Sequence, residues 1–168
     1  MTPDQGIKII PLDEKHSVYL RDALLKAIHN PENRPLPAEI LQEESLARYH
    51  ESWDKEGDFG YVAVHEDTGE VIGVCWCRSF KGEDKGYGYV DDETPELSIA
   101  VWESYRDRGI GTKLLERTIK RARSMGYRAL SLSVQQGNRS IGLYEKKGFE
   151  VLDLESGAYT MYLDLGLE

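Results

Sequence analysis

Between Glu96 and Val134 the chain reads strand, helix, strand, and that order leaves few ways to fold. ELSIAVW (Glu96–Trp102) is an apolar strand. In the stretch YRDRGIGTKLLERTIKRARSMGYRAL (Tyr105–Leu130), residues Gly109–Met125 place Leu114, Leu115, Ile119, Ala122 and Met125 at helical spacing, and Gly126 stands where a left-handed residue ends the helix. RALSLSV (Arg128–Val134) is the next strand. Strands joined by a helical crossover lie parallel, with a right-handed connection.

The flanking segments extend this unit into one sheet. GIKIIPL (Gly6–Leu12) is a short strand. Asp13 offers an N-cap to a helix whose stripe is Val18, Leu24, Leu25 and Ile28, ending at Asn30-Pro31. The prolines of NPENRPLP make a loop, and a second helix is predicted over Pro37–Trp53, with Ile40, Leu41, Leu46, Tyr49 and Trp53 on its apolar side. FGYVAVHE (Phe59–Glu66) and VIGVCWCRSF (Val71–Phe80) form a hairpin about Asp67-Thr68-Gly69-Glu70. The stretch Lys81–Thr94 is glycine-rich, charged and turn-forming, and reads either as a long loop near the mouth of a site or as a ragged strand extension. Asn138 caps a short helix that stops at Gly148, and Phe149–Leu154 and Ala158–Leu165 are the last strands. The expected fold is α/β with α+β character: a single mixed β-sheet of about seven strands with helices on both faces.

Length and charge narrow the class. The 168 residues fit one domain, residues 1–168. With 21 basic and 30 acidic side chains the net charge is −9, which disfavours nucleic acid and anionic membrane as partners and is compatible with a cationic substrate. No apolar leader follows Met1 and no run is long enough to span a bilayer, so a cytoplasmic location is expected. Cys75 and Cys77, two apart in an apolar strand, share one face. They read as buried free thiols, with no further ligand to complete a metal set.

Bare glycines at Gly109 and Gly111, beside Arg106 and Arg108, suit an anion at a helix start. The first amides there lack partners and carry the positive end of the dipole. Two phosphate-binding patterns fail. A dinucleotide fingerprint needs a third glycine at Leu114 and an acid near Arg128 or Ala129. A P-loop needs a glycine five residues before Gly111. A third pattern fits: Gln or Arg, two residues, Gly, one residue, then Gly or Ala is met by Arg106-Asp107-Arg108-Gly109-Ile110-Gly111. Further on, Asn138 to Phe149 reads as Asn, five residues, Tyr144, three residues, Gly148-Phe149.

Together, after the strand ELSIAV, these motifs resemble the GNAT superfamily of acetyl-CoA-dependent N-acetyltransferases, across Glu96 to about Phe149. The resemblance implies the GNAT-like acyl-CoA N-acyltransferase fold. It implies that the loop of Arg106, Asp107, Arg108, Gly109, Ile110, Gly111 and Thr112 cradles the CoA pyrophosphate on its amides. The strand at Ile99, Ala100 and Val101 would pair with the pantetheine arm, Asn138 would hydrogen-bond it, and Tyr144 would protonate the departing thiolate. No metal is implied. Asp107 stands where many relatives carry glycine, so its carboxylate should point outward; Trp102-Glu103 replaces a common His-Pro.

Attack by an amine requires its neutral form, and free alkylamines have a pKa of about 10, so a base is needed. The resemblance puts Glu96 in that role, with Asp91, Asp92 and Glu93 as rivals. An amide near Val101 would stabilise the developing oxyanion. The first two helices and the Lys81–Thr94 loop would line the acceptor side. There Asp84, Asp91, Asp92 and Glu93, with Tyr87 and Tyr89, either favour a cationic amine or form a solvated loop. The expected partner is a small-molecule or peptide amine, bound by a monomer or homodimer. A non-catalytic CoA-binding sensor and an acyltransferase with another acyl donor are the alternative readings.

Overall fold

The computed structural model describes residues 6–27, 44–53, 55–81 and 85–166. In chain order its elements are β1 (Ile7–Pro11), α1 (Val18–Ala27), α2 (Glu44–His50), β2 (Phe59–His65), β3 (Val71–Arg78), β4 (Glu96–Val101), α3 (Ile110–Ser124), β5 (Ala129–Gln135), α4 (Ile141–Lys146), β6 (Glu150–Glu155) and β7 (Ala158–Asp164). They form one seven-stranded sheet in the order β1-β2-β3-β4-β5-β7-β6. Every neighbouring pair is antiparallel except β4 and β5, which are parallel across the α3 crossover.

Two apolar layers sandwich the sheet. On one face Leu114, Leu115, Ile119 and Ala122 of α3 pack on Ile72, Cys75, Cys77, Leu97, Leu130 and Leu132. On the other, Leu20, Ala23 and Leu24 of α1 and Tyr49 of α2 pack on Val62, Val64, Val74, Trp76 and Ala100. β3 is therefore buried at every position, as a strand covered on both faces must be. The two cysteines are buried free thiols in it, and burial pushes Cys75 up to about 12.

Three sequence expectations need correction. Val18 is 69% exposed, because Asp13 caps a 3-10 turn (Glu14–His16) rather than α1, and the extra turn rotates the buried stripe onto Leu20, Ala23 and Leu24. Met125 is 40% exposed as the C-cap of α3, so the core stripe ends at Ala122. The N-cap of α4 is Ser140, not Asn138. Ile28, Asn30-Pro31, the NPENRPLP loop and the Pro37–Leu41 part of the second helix lie outside the described residues, as does Asp84. Among the described residues no helix is long and apolar enough to cross a membrane.

One irregularity of the sheet creates the site. β4 pairs with β3 along its whole length, from Gly73↔Val101 to Arg78↔Glu96. β4 and β5 share one register position, Glu96↔Ser131, supported by the Ser131 N–H donating to the Pro95 carbonyl at 3.0 Å. Beyond it the two strands part, and the edge of β4 from Leu97 to Val101 faces a cleft instead of a neighbour.

Candidate active site

The cleft between β4 and β5 has a volume of about 1160 Å³. At one end lies the start of α3. Its first helical bond closes at the Lys113 N–H onto the Gly109 carbonyl, leaving the amides of Ile110, Gly111 and Thr112 without helical acceptors. Gly109 is left-handed (φ 82°), a conformation that favours glycine. Gly111 is bare for a different reason. A Cβ there would make only ordinary contacts, 3.6 Å to Leu143 and 3.7 Å to Val101, so the protein's own packing does not demand a glycine. The absent side chain leaves room on the cleft side.

The arginines beside this loop differ. Arg106 lines the cleft, and its Nε donates to the Val101 carbonyl at 3.2 Å, tying the loop to the end of β4. Arg108 lies outside the cleft lining, its guanidinium 5.2 Å from the Tyr105 ring centre. Asp107 adopts φ 63°, which Asp tolerates better than most residues. Its exposed carboxylate accepts from Arg139 at 2.5 Å, and both residues line the cleft. Asn138 makes a tight turn into α4, its Oδ1 accepting from the Ser140 N–H at 2.8 Å. Ile99, Ala100, Val101, Asn138 and Tyr144 all line the cleft. Tyr144 is buried edge-on to Phe149, with ring centres 5.9 Å apart. Burial, with the Cys75 thiol adding to it, raises its pKa, against a smaller opposing effect of the Ser140 hydroxyl; the phenol holds its proton at neutral pH.

At the other end Glu96 is 4% exposed. Oε2 accepts from the Tyr49 hydroxyl and Oε1 from the Gly88 N–H at 3.0 Å. Burial pushes the carboxyl up to about 7; the bonds from Tyr49 and Gly88 and the charge of Arg48 act in the opposite direction without cancelling it. Leu24, Leu25, Leu46, Tyr49 and Tyr87 wall this end. The rival carboxylates do not reach it. Asp91, Asp92 and Glu93 line a separate groove with Arg78, Tyr127 and Tyr162. Asp91 accepts from the Glu93 N–H and the Thr94 hydroxyl, both at 2.9 Å, and Asp92 from the Tyr89 hydroxyl at 2.5 Å.

Sequence reasoning takes Tyr49 as an apolar position of a helix and the glycines of Gly86-Tyr87-Gly88 as mere loop formers, and so misses their part in the site. The available signal is chemical: a tyrosine on the apolar face of a helix brings a hydroxyl that must find a partner inside.

Comparison with known proteins bears on the family and the fold. The chain is 35% identical over 109 residues to the L-methionine sulfoximine/L-methionine sulfone acetyltransferase of Pseudomonas paraeruginosa, a match covering 63% of this chain and 60% of that protein. The fold superposes on the PaiA N-acetyltransferase of Thermoplasma acidophilum, solved in complex with coenzyme A, with a TM-score of 0.67 and 19% identity over 95% of this chain and 99% of that one. It also superposes on the ribosomal-protein-S18-alanine N-acetyltransferase of Escherichia coli, at 0.65 and 19%, over 96% of each. The sequence profile of the acetyltransferase (GNAT) family matches residues 24–149, taking in both strands that flank the cleft, the bare helix start and the Asn138–Phe149 run, and the chain belongs to that family.

Proposed function

We propose that this chain is an acetyl-CoA-dependent N-acetyltransferase that passes the acetyl group directly to a primary amine. One observation carries the reading: a family member whose sheet parts between β4 and β5, leaving a cleft with anion-ready amides at one end and a buried carboxylate at the other. The residues present fit the cosubstrate. The open amides of Ile110, Gly111 and Thr112, with Arg106, would hold its pyrophosphate, and the edge of β4 at Ile99–Val101, which faces no neighbouring strand, together with Asn138 would hold its pantetheine arm. Bound acetyl-CoA supplies the electrophilic thioester carbonyl and a thiolate leaving group.

The protein's own part is proton handling and positioning. Glu96, with a pKa of about 7, is poised to take a proton from an ammonium acceptor near neutral pH. Tyr144 keeps a proton on its hydroxyl for the departing thiolate. Asp91, Asp92 and Glu93 line the other groove, so they do not select the acceptor at this end of the cleft. Leu24, Leu25, Leu46 and Tyr87 favour an amine on an apolar or aromatic body.

Incubation with acetyl-CoA and a panel of amines tests the reading by release of free thiol. The panel should include L-methionine sulfoximine, a peptide beginning with alanine, a polyamine and an arylalkylamine. Binding of acetyl-CoA with no thiol release above background would favour a sensor module. Tyr144→Phe should lower kcat about 10- to 1000-fold with CoA affinity nearly intact; an unchanged kcat removes the acid role. Asp107→Asn keeps a side chain that tolerates left-handed backbone, removes a charge beside the proposed anion site and releases Arg139. Calorimetric titration should show CoA bound about two- to fivefold more tightly at low salt, the gain fading as salt rises. Equal or weaker affinity would mean that Asp107 does not oppose the anion.

A further inference from the structure

We propose that Tyr49 is the positioning residue for Glu96 and that the Gly86–Tyr87–Gly88 turn is the strap that holds the pair in place. The inference rests on Glu96 being the base.

The hydrogen bonds have a fixed direction. The Tyr87 N–H donates to the Tyr49 hydroxyl oxygen at 2.6 Å, and a backbone N–H can only donate. With Glu96 ionised, both of its oxygens can only accept, so the Tyr49 hydroxyl gives its proton to Oε2 while the Gly88 N–H donates to Oε1. Both carboxylate oxygens are gripped by donors on one short turn and on α2, which fixes the carboxylate plane. Neither donor takes a proton in return. Tyr49 is held well above its ordinary pKa, first by burial and then by Glu96, and an amide N–H does not accept. A proton taken up by Glu96 must leave as it came, through the cleft, so Tyr49 orients the base and does not relay for it.

The strap is shaped around this pair. A Cβ on Gly86 would lie 2.6 Å from the Tyr49 hydroxyl and 2.9 Å from the Glu96 carboxyl carbon, and closer still to Oε1. A Cβ on Gly88 would lie 2.6–2.9 Å from the backbone of Leu132 and Ser133 on β5. Neither glycine has a positive φ, so close approach rather than backbone conformation excludes a side chain. The Tyr49 ring is fixed separately, parallel to Tyr87 with centres 6.4 Å apart and edge-on to Phe80 at 5.2 Å. Tyr49→Phe thus removes the hydroxyl and leaves this packing.

The charged and titratable neighbours of Glu96 are Arg48 and Tyr49 of α2, Cys77 and Arg78 of β3, and Tyr87 of the strap; Ser131 is its partner on β5. Among them, the Tyr49 side chain donates directly to the carboxylate.

The test uses the full chain labelled with 13C at glutamate carboxyl carbons. The Glu96 signal is assigned by its loss in Glu96→Gln and followed by NMR against pH. Removing a donor that favours the charged form should move the Glu96 midpoint in Tyr49→Phe upward by about one to two pH units. Gly86→Ala, which forces the hydroxyl and carboxylate apart, should move it in the same direction and carries the test if Tyr49→Phe does not fold. A midpoint that stays in place in the variants that fold overturns the positioning role. Thiol release by Glu96→Gln is measured in parallel. If that variant keeps wild-type activity, the base reading falls and the inference with it. If it is inactive while the midpoint does not move, the inference alone falls.

Discussion

Arg78→Met is expected to destabilise the protein by about 3–5 kcal/mol, measured as the loss of unfolding free energy in urea. The guanidinium is 3% exposed and has five N–H donors, and each is used. Nε and Nη2 donate to the two oxygens of Asp58, both at 3.0 Å; Nη1 donates to the Arg48 and Glu51 carbonyls at 3.0 and 2.5 Å; Nη2 also donates to the Ser52 carbonyl at 3.0 Å. Arg78 thus caps the C-terminal end of α2, where carbonyls lack helical partners and positive charge is favoured.

Methionine replaces the packing of the stem but leaves the Asp58 carboxylate, whose side chain is also 3% exposed, without its ion-pair partner. The loss is the cost of a stranded buried charge together with unsatisfied carbonyls, not the small value of a surface ion pair. Asp58→Asn on the same background should recover part of it, because a neutral amide is cheaper to bury. A loss below about 1 kcal/mol in Arg78→Met would show that Asp58 finds water or another donor. The variant should also affect catalysis at a distance. α2 is held to the sheet by Arg78 and by the Trp76 indole N–H donating to the Tyr49 carbonyl at 2.8 Å, and Tyr49 carries the hydroxyl that orients Glu96.

The parts of this site that the sequence made legible are those encoded locally. The apolar periods of ELSIAVW, the α3 stripe and RALSLSV fix a parallel unit, the left-handed residues Gly109 and Gly126 mark its turns, and Gly148 marks the end of α4. The parting of β4 from β5 is not local. Both strands carry ordinary strand patterns up to and past Glu96↔Ser131, and nothing in either period says that pairing stops there. The grip on Glu96 is equally hidden. Tyr49 lies 47 positions from Glu96 in the chain, and Gly86 and Gly88 look like loop glycines until their close approach to the Tyr49–Glu96 pair and to the β5 backbone is visible. Asp107 shows the converse. Its sequence position raises a conflict with an anion site, and its ion pair with Arg139, from another loop, is not readable from that position.

Glu96→Gln should be nearly inactive, and its stability relative to the wild type should rise with pH. The amide cannot take a proton from the acceptor, so kcat/KM is expected to fall about 10²- to 10⁴-fold. The stability effect follows from burial. The carboxyl is raised from 4.5 to about 7 in the folded protein, so between those values the folded chain holds a proton that the unfolded chain has released. Its contribution to stability is complete below about pH 4.5 and is lost as pH rises through about 7. At about 1.36 kcal/mol per pH unit the loss is roughly 3 kcal/mol. Glutamine does not titrate, and the other ionisable groups are common to both proteins. The stability of the variant relative to wild type should therefore rise by about 2.5 kcal/mol between pH 5 and pH 8, read from urea unfolding at several pH values. The substituted amide meets the Tyr49 hydroxyl and the Gly88 N–H with one oxygen instead of two, which lowers the variant's curve at every pH without changing the slope of the difference. Parallel curves would mean that Glu96 ionises normally and that the cleft wets it. A rising difference in an inactive variant would show that an ionised carboxylate is kept in a place that destabilises the fold because the proton transfer requires it there.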